Sequence, residues 1–196
     1  MKRQVADLVT ADPSPGDDGE ARPDGDDEVV LPPHPGAVPI GILTAAVLIV
    51  LDQATKALVE AVLTPGRFVA WLSEDIGWQL VYNPGGAFGL PLPPWVFLVV
   101  TVGVLVLITR VLPATHTLLT AVAYGMLLAG AVGNALDRLL RSGADGFGGG
   151  FVVDFVAWGS FPRFNVADSA ITVGFVLLLI ALLVEERRAE ALERGR

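Results

Sequence analysis

FVVDFVAWGSFPRFNVADSAI, residues 151–171, sets two aspartates, Asp154 and Asp168, at the threshold of an apolar run that continues to Val184. A charged side chain at the centre of a membrane helix costs about 2.5–3.5 kcal/mol on insertion scales and less near the interface, so acids kept at such a threshold face protein or water. Asp154 lies among Val152, Val153, Phe155 and Val156, which presses its carboxylate against an apolar surface. Asp168 follows Asn165 by three positions, where capping of a helix N-terminus is the plain structural reading. The stretch reads as a loop that carries one carboxylate back towards another on an entering helix.

Working outward, the chain is 53% hydrophobic and only 17% charged, with a mean hydropathy of +0.60, too apolar for an ordinary soluble domain. Four stretches reach the roughly 20 residues that a transmembrane helix needs. They are Val38–Val59, Pro94–Leu112, Thr117–Leu139 and Val166–Val184. The net charge of −8 is concentrated in residues 1–35, where nine acids outnumber three bases and leave −2 for everything else. Rich in Pro, Gly and Asp, that segment cannot bury enough apolar surface to offset its ordering entropy and is expected to be a disordered tether. No cleavable leader is expected, because the acidic stretch precedes the first apolar run.

The absence of cysteine excludes disulfides, thiolate metal sites and a cysteine nucleophile. His34 and His116 are far apart in sequence, so no metal centre and no cofactor are expected. Between the first two spans, RFVAWL and GWQLVYN alternate in a strand-like way and NPGG marks a turn, predicting a small sheet at the membrane surface anchored by Trp71, Trp78 and Tyr82. Arg110 between spans two and three, and Arg187, Arg188, Arg194 and Arg196 after span four, predict cytoplasmic termini by the positive-inside rule, although Arg67, Arg138, Arg141 and Arg163 oppose it.

That topology gathers every polar cluster at the outer edge: DQATK ends span one, GNALDR ends span three and FNVADS opens span four. Asp52 and Lys56 are spaced i, i+4 and can pair, while Asn134, Asp137 and Arg138 share a face, and helix-end anchoring is the simpler account of these. Asp154 and Asp168 have only Arg163 as a nearby base in sequence. If two carboxylates meet in a poorly solvated site they cannot both ionise easily, so one serves as acid and the other as base. Such a pair suits hydrolysis of an amide by activated water. A serine–lysine hydrolase using Lys56 with Ser160 or Ser169 is a competitor, weakened by Asp52 one turn from the lysine. A proton-coupled transporter and a non-enzymatic membrane scaffold are the readings from other classes; acids collected at one edge, without an internal repeat, argue against the transporter.

DQATK, NPGGAFGL, GNALDR and VVDF with FNVADSAI, in this order on these spans, resemble the bacterial lipoprotein signal peptidases, or signal peptidase II. The resemblance covers about residues 38–185. It implies a mainly α, integral membrane fold of four transmembrane helices with a small interfacial β-cradle between helices one and two. It implies an aspartic endopeptidase of the cytoplasmic membrane, which removes signal peptides from diacylglyceryl-modified prolipoproteins before the lipidated cysteine. Asp154 and Asp168 would be its catalytic dyad. Asp52, Lys56, Asn83, Gly85, Asn134, Asp137, Arg138, Asn165 and Ala167 would support the dyad or hold substrate.

The implied organisation is an acidic cytoplasmic tail over 1–35, the membrane peptidase domain over 36–186 and a basic cytoplasmic tail over 187–196. The implied partners are prolipoproteins and membrane lipids, not nucleic acid, for a protein expected to be monomeric. Three features depart from the family pattern: Gly86 stands where alanine is common, RSGADGFGGG is long and glycine-rich, and the acidic tail has no counterpart.

Overall fold

The computed structural model describes residues 32–85, 92–141 and 150–194. The acidic stretch up to residue 31, Gly86 and residues 142–149 of the glycine-rich connection lie outside the described residues, as does Arg196.

Four helices match the four apolar runs: α1 (Ala37–Val62), α2 (Pro94–Val111), α3 (Leu118–Leu140) and α4 (Val166–Arg194). Each is long and apolar enough to cross a bilayer, and all begin or end where local chemistry requires. Pro94 opens α2, a position where its missing N–H costs nothing. Thr117 caps α3 by accepting the Thr120 N–H at 3.2 Å. α4 runs ten residues past Val184, where its continuous apolar run ends.

α3 is the central helix: 44% of its span is buried, against 11% for α2, and it packs on α1 and α4. In lipid, apolar side chains gain nothing by turning inward, so close helix contact depends on small residues and polar groups. A Cβ on Gly125 of α3 would collide with the Gly41 carbonyl of α1, and one on Gly133 would lie 2.7 Å from Asp52 Oδ2. Large apolar side chains face outward instead, as with Val50 of α1 and Leu107 of α2.

Strands β1 (Phe68–Ser73), β2 (Ile76–Asn83), β3 (Val152–Trp158) and β4 (Phe161–Phe164) form one antiparallel sheet in the order β1-β2-β3-β4. The two strands expected between the first spans are present. The other two come from residues 152–164, which the sequence reading took as a loop. VVDFVAW is an almost unbroken apolar run because β3 is buried over most of its length, paired with β2 throughout and with β4 from Val156 on. Its turn at Gly159 adopts a positive φ of 51°, which glycine accommodates without strain. Val153 and Phe155 pack with Leu80 and Val59, fastening the sheet to the C-terminal end of α1.

Candidate active site

The C-terminal ends of α1 and α3, the N-terminus of α4 and strand β3 meet in one polar cluster that draws together all eleven residues singled out from sequence. Its lower tier is ionic. Lys56 Nζ lies 2.8 Å from Asp52 Oδ2 and 2.9 Å from Asp137 Oδ2, and donates to Asn134 Oδ1 at 3.1 Å. The three donors of the ammonium are thereby used, and the lysine is fully buried. Gln53 Nε2 reaches both carboxylates, at 3.1 Å to Asp52 and 3.0 Å to Asp137.

The other lone pairs of these acids grip backbone. Asp52 Oδ1 accepts the Ala167 N–H at 2.9 Å, and Asp137 Oδ2 accepts the Val153 N–H at 3.0 Å. Ala167 immediately precedes Asp168 and Val153 immediately precedes Asp154. Each scaffold carboxylate therefore holds the amide next to one of the two aspartates of the upper tier.

The upper tier is held by amides. Asn165 Nδ2 donates to Asp154 Oδ1 at 2.7 Å, and Asn83 Nδ2 donates to Asp154 Oδ2 at 3.0 Å. Asp168 Oδ1 accepts from Asn134 Nδ2 at 2.8 Å, while its Oδ2 accepts the Asn165 backbone N–H at 3.1 Å. Asn165 Oδ1 returns the favour by accepting the Asp168 N–H at 3.0 Å, a reciprocal capping box at the start of α4. The N-cap is thus Asn165 and not Asp168, which stands in the first turn as the reciprocal member of the capping box. Asn165 is the shared clamp, its side chain on one aspartate and its backbone on the other. The Asn83 amide is itself oriented, since its Oδ1 accepts the Gly85 N–H at 3.0 Å.

Among the described residues, neither Asp154 nor Asp168 forms an ion pair. Arg163, the base nearest to them in sequence, spends its guanidinium on Gln79 at 2.7 Å and on the carbonyls of Gly159 and Phe161. Burial pushes the Asp154 carboxyl up to about 7, the neighbouring Asp168 adds to that, and hydrogen bonds from Asn83 and Asn165 with the field of Lys56 only partly offset it.

Arg138 borders the cluster. It donates to the carbonyls of Asn134 at 3.1 Å and Gly85 at 2.9 Å and lies over the Phe97 ring, 4.4 Å from its centroid. Its Nε is buried without a hydrogen-bond partner among the described residues. The serine–lysine arrangement does not assemble: Lys56 is consumed as described, and Ser169 Oγ donates to the Asn165 carbonyl at 2.9 Å. Sequence reading missed Gln53, although it lies inside the quoted DQATK, and gave no role to Phe97. A glutamine one residue after a buried acid offers no signal by spacing alone. The partner of an arginine 41 positions away is set by how α2 packs on α3.

The family profile described as Signal peptidase (SPase) II matches residues 44–184, from α1 to the last apolar turn of α4. The chain belongs to the signal peptidase II family. It is 37% identical over 171 residues to a lipoprotein signal peptidase of Rhodococcus jostii strain RHA1, an alignment covering 85% of each chain. It is 38% identical over 150 residues to that of Shouchella clausii strain KSM-K16, covering 74% of this chain and 93% of the relative. Its fold superposes on a solved structure described as a bacterial membrane enzyme with a TM-score of 0.67 and 31% identity, covering 76% of this chain and 90% of the other. As a member of this signal peptidase II family the chain is a membrane peptidase, and all eleven cluster residues lie inside the matched segment.

Proposed function

We propose that the protein cleaves signal peptides from diacylglyceryl-modified prolipoproteins before the lipidated cysteine, and that Asp154 and Asp168 are its catalytic dyad. The observation that carries this reading is the contrast in partners: two carboxylates, buried or half-buried, are clamped by one asparagine and, among the described residues, form no ion pair. A carboxylate quenched by lysine is a poor proton acceptor; one held by neutral amides keeps its basicity.

In this mechanism Asp154, whose raised value keeps it protonated up to about pH 7, acts as the acid. Asp168, in the first turn of α4, is oriented by Asn134 Nδ2 and the Asn165 backbone N–H and acts as the base. It removes a proton from water as the water oxygen adds to the scissile carbonyl. Asp154 donates to the carbonyl oxygen, and the proton taken up by Asp168 passes to the departing amine. Arg138 and the Asn83–Gly85 turn line the approach and would hold substrate backbone.

Arg110 at the end of α2 and Arg187 and Arg188 after the apolar run of α4 support termini in the cytoplasm and a site near the outer face, where a lipidated substrate presents its cleavage bond. The exposed Trp71 and Trp158 of the sheet suit that interface. A monomer suffices, since one chain supplies the whole cluster. The test is to replace Asp154 or Asp168 by Asn at unchanged protein level. Membranes should then accumulate lipidated, uncleaved prolipoprotein, and normal processing by both variants would sink the dyad.

A further inference from the structure

The grip on Val153 has an outer support that the proposed dyad does not explain. β4 pairs with β3 only as far as the Val156–Phe164 register, so the β3 edge before it lacks a strand neighbour. At Val153 that edge is completed by side chains. Asp137 takes its N–H at 3.0 Å, and Asn165 Nδ2 approaches its carbonyl at 3.3 Å. The height of the neighbouring Asp154 carboxyl therefore depends on where Asp137 is held.

Asp137 is held from two sides. Lys56 takes Oδ2; on Oδ1, Gln53 Nε2 donates at 3.0 Å and the Arg141 guanidinium, one helical turn further along, adds an ionic contact at 3.3 Å. Arg141 is in turn ion-paired with Glu60 of α1, one turn beyond Lys56. Both members of this outer pair are only about a fifth to a quarter exposed, at 19% and 24%, so solvent screens them less than a surface pair. The same end of α3 also receives the returning chain. Gly150 N–H donates to the Arg138 carbonyl at 3.2 Å, and a Cβ there would lie 2.8 Å from that oxygen. Arg141 and Gly150 thus fix where the chain leaves α3 and where it enters β3.

We propose that Glu60 and Arg141 are positioning residues for Asp154, acting through Asp137 and the Val153 amide. With Arg141 neutralised, Asp137 keeps Lys56 and Gln53 but its Oδ1 loses the cation on its outer side, and the Val153 N–H is held in a broader range of positions. The consequence for catalysis rests on the dyad reading; the consequence for the Val153 amide does not.

Two readouts on the full-length protein separate these. In Arg141→Gln, hydrogen exchange at Val153 should accelerate by about tenfold, while amides in the β2–β3 ladder keep wild-type rates. With lipidated prolipoprotein, kcat should fall by about tenfold with KM within about twofold, and Arg141→Lys should recover most of it. If the substitution prevents folding, the exchanged pair Glu60→Arg with Arg141→Glu should fold and restore both readouts. Unchanged exchange at Val153 in Arg141→Gln, or failure of both the lysine variant and the exchanged pair to restore it, overturns the proposal whatever the role of the dyad. Faster exchange with unchanged kcat overturns the positioning role and leaves the dyad to its own test.

Discussion

Two pairs of acids stand within one polar cluster and differ in what answers their charge. Asp52 and Asp137 share a buried lysine, and each also holds a backbone amide. Asp154 and Asp168 are answered by Asn165, Asn83 and Asn134. Buried ion pairs contribute little net stability, yet removing one partner is costly, so the first pair fixes geometry. Amides satisfy lone pairs without neutralising them, so the second pair keeps a proton to exchange. Scaffold and chemistry are separated by choosing lysine for one and asparagine for the other.

The comparison breaks most sharply at the upper pair. Replacing Asp154 or Asp168 by Asn should lower cleavage by about 10²–10⁴-fold, measured as release of signal peptide from lipidated prolipoprotein, with folding retained. At the lower pair the damage should be to stability. Lys56→Met leaves two buried carboxylates uncompensated and should cost about 3–5 kcal/mol, read as an early unfolding midpoint in detergent.

A third expectation follows from the raised Asp154 carboxyl, at about 7. The native state keeps a proton there that the unfolded chain releases above about pH 4, so this contribution to stability is present below pH 4 and lost as pH rises towards 7. Asp154→Asn removes that slope. The variant, though inactive, should be more stable than the parent at pH 8, by at most about 4 kcal/mol, and not at pH 4. Unfolding scans at the two pH values would show it. The smallest effect is expected from Asn165→Ser, which keeps an N-cap oxygen but loses the donor to Asp154. It should cost about tenfold in kcat with about 1 kcal/mol or less of stability.

The four spans were legible because a bilayer demands long apolar runs, and their observed bounds lie within three residues of the expected ones except at the end of α4, which continues ten residues further. The Asp52–Lys56 pair was legible because i, i+4 spacing is local. Its engagement with Asp137 was not, because that depends on which faces of α1 and α3 meet, set by contacts such as Gly41 with Gly125. β3 was read as a loop because VVDFVAW lacks alternation. A strand buried on both faces has none to show. Asn165 was named in sequence only by resemblance; its double hold on the two aspartates appears once α4 begins beside the end of β3.

The central claim is that Asp154 and Asp168 share one electrostatic environment and, among the described residues, neither is neutralised by an ion pair of its own. Infrared difference titration of the Asp154 carboxyl in the full-length protein, compared with Asp168→Asn, tests it most directly. The protonated band should persist to about pH 7 in the parent and vanish at distinctly lower pH once the neighbouring charge is removed. A band already lost near pH 4 in the parent, or one indifferent to Asp168→Asn, would contradict the account.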